Sequence, residues 1–180
     1  MKRRRKNLKH LPNLLTTFRL LLVPVYFFVF FSGIPHHMMW GFGIFLLAGL
    51  TDILDGYLAR KFKLVTELGI ILDPLADKLM MLSVILSLVI SGVIQWWLAV
   101  LVFLRDLGMI VGGALLAVGG HQPIPADHWG KATTFFFYVA IFLIVFDVPY
   151  SVHFLGFVIC FSFFTSWNYL QKGRQQRIAS

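Results

Sequence analysis

The chain has 180 residues, of which 58% are apolar, 16% are aromatic and only 13% are charged. A soluble domain carries about 25% charged residues, so this composition excludes an ordinary soluble domain and indicates a membrane protein. The net charge of +8 does not indicate nucleic-acid binding, because many basic residues lie at the ends of apolar runs, where they can contact anionic lipid headgroups.

Six apolar stretches each come close to the length of about 20 residues that a helix needs to cross a bilayer. Inside the hydrocarbon core every backbone polar group must be paired within its own segment, so these stretches are predicted to be helices. The predicted fold class is an all-α membrane protein, a bundle of six transmembrane helices. In chain order the predicted spans are Leu14–Phe31, Met39–Ala59, Ile70–Ile90, Trp96–Val118, Thr133–Phe146 and Val152–Leu170.

Basic residues are distributed unevenly between the two sets of connecting segments. Most lysines and arginines lie in the termini and in the longer loops Lys61–Gly69 and Gly119–Lys131. The three short loops hold none, and these are Gly33–His37, Ser91–Gln95 and Asp147–Ser151. The positive-inside rule therefore predicts cytoplasmic N- and C-termini in a bacterial inner membrane. Residues 1–13 are predicted to form a basic juxtamembrane segment, 14–170 the transmembrane domain and 171–180 a basic cytoplasmic tail.

The N-terminal region has an alternative interpretation as a cleaved signal peptide, because Lys2–Lys6 resembles a charged n-region. Against cleavage, the apolar run that follows contains Arg19 and two prolines, and it has no clear small-x-small cleavage site. The segment is therefore expected to be retained and to lie on the anionic cytoplasmic leaflet.

Four aspartates lie in the stretch from Asp52 to Asp77, in a chain that has only eight acidic residues. Asp52 and Asp55 are three residues apart and share a helix face, and Asp73 and Asp77 share a face of the next helix. The short connection predicts antiparallel neighbouring helices, so the four carboxylates are expected to converge at their cytoplasmic end. Oxygen-only ligands favour Mg²⁺ or Mn²⁺ over zinc, and two such ions can clamp the attacking and leaving oxygens in phosphoryl transfer.

Small and basic residues accompany these carboxylates. Gly56 and Gly69 leave room for a ligand between the helices, and Arg60 can offer a bidentate fork to a phosphate. Two other interpretations are a carboxylate-lined cation transporter and an inactive membrane scaffold. A transporter of this length would more often contain an internal repeat, and the sequence has none.

The stretch resembles the signature of the CDP-alcohol phosphatidyltransferases, D-x2-D-G-x2-A-R-x8-G-x3-D-x3-D, with every specified position filled. The resemblance extends over nearly the whole chain and implies the six-helix fold of that family. It implies an enzyme that displaces CMP from CDP-diacylglycerol by attack of an alcohol hydroxyl, and usually a homodimer.

The resemblance also implies roles for individual residues. Asp52, Asp55 and Asp73 would bind two divalent cations, and Asp77 would complete the site and act as the candidate general base. A second set would form the CDP-binding surface, and it comprises Asp52, Gly56, Ala59, Arg60 and Gly69.

The opening segment Leu11–Arg19 and the run Leu72–Lys78 look like the glycerol-acceptor branch of the family. That branch includes phosphatidylglycerophosphate synthases, which use glycerol 3-phosphate, and CMP-forming cardiolipin synthases, which use phosphatidylglycerol. The former usually carry Arg-Glu early in the fourth span, a second arginine about seven residues later and a Gly-Lys-x-Lys-Thr string.

Here the fourth span has Arg105 followed by Asp106, and the string contains only Lys131. Two cations expected to hold a free phosphate dianion are missing, which slightly favours phosphatidylglycerol as the acceptor. Candidate acceptor- or phosphate-binding residues are Arg19, Arg105, Asp106 and Lys131. Arg19 could instead face the bundle or extend toward the interface, and Arg105 and Asp106 could simply pair with each other.

Overall fold

The computed structural model describes residues 11–62, 67–118 and 128–179. It describes only the backbone of residues 11–15, 55–62, 67–71, 74, 113–118, 128, 169–170 and 172–179. Regular structure in the described ranges is entirely helical, as predicted. The helices are α1 (Leu11–Phe31), α2 (His37–Phe62), α3 (Glu67–Ile90), α4 (Trp96–Val118), α5 (His128–Val145) and α6 (Ser151–Ala179).

Several helices extend past the predicted spans at their polar ends. Helix α2 continues to Phe62, α5 begins at His128, and α6 continues to Ala179. The predicted spans stopped where the apolar residues stop, whereas lysine, arginine and glutamine are good helix formers and extend a helix outside an apolar environment. Lys131 therefore lies in the first turn of α5 and not in a loop.

The three short connections occur where they were predicted. Gly33 follows α1 with φ of +68°, and Gly92 follows α3 with φ of +71°. This left-handed conformation ends a helix by reversing the chain direction, and it is accessible to glycine at no steric cost. Asp147 has the same conformation, with φ of +51°, at the turn after α5. The connection between α2 and α3 includes residues 63–66, which lie outside the described ranges.

The chain divides into two compact units, Met1–Ser91 and Gly92–Ser180. In the first unit, α1 packs against both α2 and α3. Leu22, Tyr26 and Phe30 recur every four residues, so they form one buried stripe on α1. The buried apolar residues of the partner helices include Phe45, Ala48, Met80, Val84, Ile85 and Leu88.

In the second unit, α6 packs against both α4 and α5. Leu155, Val158 and Ile159 are buried at helical spacing on α6, which gives that helix a continuous apolar face. The core facing them includes Leu98, Val102, Phe137, Ala140, Ile141 and Ile144.

Within the residues that the structure describes, two helices contain a stretch long and apolar enough to cross a membrane, His37–Leu54 in α2 and Ser151–Asn168 in α6. The apolar parts of α1 and α5, Thr16–Phe31 and Trp129–Val145, are shorter. Many large apolar side chains of both units are exposed, Phe28 to 77%. This surface is the opposite of what a water-soluble protein presents and agrees with a membrane environment.

The close approach of α1 and α2 at Gly41 gives a testable prediction. A Cβ atom at Gly41 would lie 3.1 Å from both Phe30 Cδ2 and Tyr26 Cε2, and both rings are buried. Gly41→Val is expected to destabilise the protein by about 1–3 kcal/mol through overpacking, seen as a lower thermal unfolding midpoint in detergent micelles. Gly43→Val is the matched control, because a Cβ there meets nothing within 4 Å. Equal midpoints for the two variants would contradict this packing.

Candidate active site

Two polar side chains of α1 are buried on one face of the helix. Thr16 is fully inaccessible and Arg19 is 1% exposed, although both lie in an otherwise apolar segment. They are three residues apart, so their side chains are neighbours on the helix surface, with Cβ atoms about 5–6 Å apart. This part of α1 therefore presents a hydroxyl and a guanidinium to the interior of the first unit.

These two side chains contact aspartates from different helices. Arg19 Nη1 lies 2.8 Å from Oδ1 of Asp52 on α2. The Thr16 hydroxyl donates a hydrogen bond to Oδ1 of Asp73 on α3. The first and third aspartates of the signature thus reach neighbouring positions on the same face of α1.

The contacts also locate the polar region within the first unit. Thr16 lies near the beginning of α1, Asp52 in the second half of α2 and Asp73 near the beginning of α3. The polar region therefore occupies the end of the unit at which α1 begins, α2 ends and α3 begins. The other end of α1 carries the apolar contacts of Tyr26 and Phe30.

The remaining predicted site residues are less fully described. Asp77 is exposed and follows Asp73 by one helical turn on α3. The backbones of five residues lie in α2 or α3 while their side-chain positions are outside the described part of the chain, and these are Asp55, Gly56, Ala59, Arg60 and Gly69.

The described carboxylates have the donor chemistry that a hard divalent cation requires. Asp52 is 43% exposed and is held by Arg19 through Oδ1, and Asp73 is held by Thr16 through Oδ1. Carboxylate oxygens suit Mg²⁺ and Mn²⁺. Among the side chains that the structure describes, no three acidic, histidine or cysteine groups form a complete metal site. The predicted ligand Asp55 is outside that set.

A second polar cluster lies in the other unit, between α4 and α6. Arg105 Nη1 is 2.6 Å from Oδ1 of the adjacent Asp106, and both side chains are largely buried. Arg105 Nε also donates to Ser166 Oγ at 3.1 Å, and Ser166 in turn donates to the Ser162 carbonyl at 2.8 Å. The guanidinium is therefore held by a carboxylate and a hydroxyl from two directions.

Lys131 is exposed in the first turn of α5. Two residues later, the buried Thr133 hydroxyl lies 3.3 Å from the Thr165 hydroxyl of α6. Because α6 also carries Ser162 and Ser166, one face of that helix presents hydroxyls toward both α4 and α5.

Thr16 and Ser166 were not singled out as functional residues by the sequence analysis. A signal for each exists, because Thr16 shares a helix face with Arg19, and Ser162, Thr165 and Ser166 follow the spacing of one helical face. This signal is weak, because serine and threonine hydroxyls in a helix often hydrogen-bond to the backbone of the same helix.

Comparison with known proteins agrees with the signature. Residues 9–167 match the family model described as CDP-alcohol phosphatidyltransferase. A Mycobacterium tuberculosis protein named as a probable phosphatidylglycerophosphate synthase is 38% identical over 158 residues, covering 86% of this chain and 75% of the relative.

Two further relatives carry different names. A Bacillus subtilis CDP-diacylglycerol–glycerol-3-phosphate 3-phosphatidyltransferase is 28% identical over 183 residues, covering 91% of this chain and 94% of the relative. A CMP-forming cardiolipin synthase of Streptomyces coelicolor is 33% identical over 128 residues, covering 69% of this chain and 60% of the relative. The family match spans most of the sequence and contains both polar clusters. The chain therefore belongs to the CDP-alcohol phosphatidyltransferase family, a membrane-bound family of enzymes of phospholipid synthesis.

Proposed function

We propose that this chain transfers the phosphatidyl group of CDP-diacylglycerol to the hydroxyl of a glycerol-type acceptor, with CMP as the leaving group. The observation that carries this proposal is the pair of contacts by which α1 holds Asp52 and Asp73. These contacts gather signature carboxylates from two helices at one end of the unit, and the family match supplies the reaction class.

In this proposal Asp52, Asp55 and Asp73 bind two divalent cations, Mg²⁺ or Mn²⁺, and Asp77 completes the site. The cations, when bound, would offset the negative charge of the diphosphate and make the acceptor hydroxyl more acidic. Asp77 would accept the proton of that hydroxyl, a role to which its exposed position is suited because the acceptor must reach it.

The cytidine diphosphate would lie along α2 and the beginning of α3. Gly56, Ala59 and Gly69 lack bulky side chains and would allow its close approach, with Asp52 at the same surface. Arg60 would donate a bidentate pair of hydrogen bonds to the diphosphate.

For the acceptor we propose phosphatidylglycerol in preference to glycerol 3-phosphate, with Arg105, Asp106, Lys131 and Arg19 as candidate binding residues. Asp106 and Ser166 already engage Arg105. A guanidinium that a carboxylate neutralises attracts a phosphomonoester dianion less strongly than a free one does, whereas a phosphodiester carries one charge less. The relatives that match this chain include proteins named for transfer to glycerol 3-phosphate or for phosphatidylglycerophosphate synthesis, and one named as a cardiolipin synthase.

We further propose that the six helices are six membrane spans with both termini in the cytoplasm of a bacterium, and that two copies form a homodimer. Residues 14–170 would be the catalytic domain, and residues 1–13 and 171–180 would be basic segments at the cytoplasmic leaflet. The helix limits and the uneven distribution of lysine and arginine support this arrangement. The active site would then face the cytoplasm, since α1 begins, α2 ends and α3 begins on that side.

Removing single carboxylates tests the reaction. Asp73→Asn and Asp77→Asn should each lower CMP release from CDP-diacylglycerol by about 100-fold or more, because a metal ligand or a general base is lost. Asp77→Asn should still bind CDP-diacylglycerol. Asp147→Asn is the control, since Asp147 is exposed in a turn whose left-handed conformation asparagine tolerates. Full activity of Asp77→Asn would remove Asp77 as the base, and absence of CMP release from folded wild-type protein with any alcohol would overturn the function.

The acceptor is tested by supplying phosphatidylglycerol or glycerol 3-phosphate to the same purified protein with CDP-diacylglycerol and Mg²⁺. We expect a higher kcat/KM with phosphatidylglycerol. Asp106→Asn releases Arg105 from its carboxylate, so the ratio of kcat/KM values should shift toward glycerol 3-phosphate by up to about tenfold. A wild-type preference for glycerol 3-phosphate would reverse the assignment.

Topology is tested by labelling single cysteines in intact spheroplasts with a maleimide that does not cross membranes. In a Cys160→Ser background, Ser32→Cys should react from outside, whereas Gln171→Cys should react only after the membrane is permeabilised. Both positions are exposed in the structure, so burial would not prevent labelling. The opposite pattern would contradict cytoplasmic termini.

A further inference from the structure

Thr16 is an unusual residue in the first unit because its hydroxyl, although fully buried, reaches a carboxylate on another helix. Thr51 and Ser83 of this unit instead bond to their own helix: Thr51 donates to the Ala48 carbonyl and Ser83 to the Leu79 carbonyl, at 2.8 and 2.7 Å. The Thr16 contact therefore links α1 to a signature aspartate and does more than satisfy the threonine locally.

The contact restricts how Asp73 can present its oxygens. A carboxylate rotates about its terminal torsion with little preference, so an isolated aspartate offers its two oxygens in many orientations. The Thr16 hydroxyl binds Oδ1 and thereby restricts the rotation of the carboxylate. An ionised carboxylate has about four acceptor positions, and this hydrogen bond occupies one of them.

Arg19 acts in parallel on the second carboxylate. It lies one turn after Thr16, is 1% exposed and contacts Oδ1 of Asp52. Both aspartates are thus held through one oxygen by the same face of α1. Contacts of this kind, from side chains that are not themselves ligands, are how proteins orient the ligands of a metal ion.

We propose that Thr16 is a positioning residue for the divalent-cation site, acting through Asp73. This inference rests on the proposed function, because it takes Asp73 to be a cation ligand. Thr16 itself would touch neither substrate nor cation. Its hydroxyl would preorganise the carboxylate, so that binding a cation requires less reorientation of Asp73 than in its absence.

A purely structural role is the alternative, since hydrogen bonds between membrane helices also stabilise bundles. The two roles differ in what Thr16→Val changes. Valine has nearly the shape of threonine but no hydroxyl. Loss of packing would lower the thermal unfolding midpoint only, whereas loss of positioning would weaken cation binding even where the folded protein is intact.

The test measures Mn²⁺ binding to the full-length protein in detergent by electron paramagnetic resonance, without substrate, beside the Mg²⁺ concentration that half-activates CMP release. Thr16→Val and Thr16→Ala should raise the Mn²⁺ Kd and the half-activating Mg²⁺ concentration by about 10–100-fold. Thr16→Ser keeps the hydroxyl and should remain within about threefold of the wild type. Thr17→Val is the matched control, because Thr17 is the neighbouring threonine on an exposed face of α1.

The outcomes separate this inference from the proposed function. If the wild type binds Mn²⁺ and releases CMP but Thr16→Val and Thr16→Ala bind Mn²⁺ normally, Thr16 only packs and the inference is wrong. If folded wild-type protein neither binds Mn²⁺ nor releases CMP, the proposed function itself is wrong and the inference falls with it. If Thr16→Val does not fold, Thr16→Ala, which introduces no bulk, decides between the two roles.

Discussion

The first unit depends on how α1 neutralises and holds polar groups inside an apolar bundle. A buried guanidinium is unfavourable unless a carboxylate accompanies it, and a carboxylate in a membrane segment needs a partner or a wet cavity. Arg19 and Asp52 meet this requirement for each other at 2.8 Å, and the Thr16 hydroxyl meets part of it for Asp73. The face of α1 that carries Thr16 and Arg19 continues as the buried stripe of Leu22, Tyr26 and Phe30. Helix α1 packs against both α2 and α3.

The second unit uses the same physical solution with different residues. Arg105 is largely buried on α4 and is held by Asp106 and by Ser166 of α6. Here the carboxylate is adjacent in sequence, so the ion pair is local and the contact between helices comes from a hydroxyl. The net charge of this pair is zero, whereas the signature stretch of the first unit has more carboxylates than basic partners. That difference in charge is why we assign cations to the first unit and a less highly charged acceptor to the second.

The helical fold class and the positions of most helices could be predicted from the sequence. Apolar stretches of about 20 residues can cross a bilayer as helices, and without water their backbone polar groups must pair within the segment. The predicted span Trp96–Val118 coincides with α4, whereas the end of α6 was missed by nine residues because its last turns are polar. Spacing of three and four residues indicated which aspartates share a helix face. It did not indicate Thr16 as the partner of Asp73 or Ser166 as the partner of Arg105, since a hydroxyl on a helix can equally bond to its own backbone, as Thr51 does.

The order of these contacts along the chain has a consequence for how the protein enters the membrane. Helix α1 is synthesised before α2 and α3 and carries Arg19, which would be poorly accommodated in lipid alone. Its carboxylate partner follows on α2, and the acceptor for the Thr16 hydroxyl follows only on α3. Helix α1 can therefore leave an aqueous or interfacial environment most easily once α2 is beside it, and its interior face is complete only when the third helix has been added. The residues that we assign to catalysis would in this way also set the sequence of assembly.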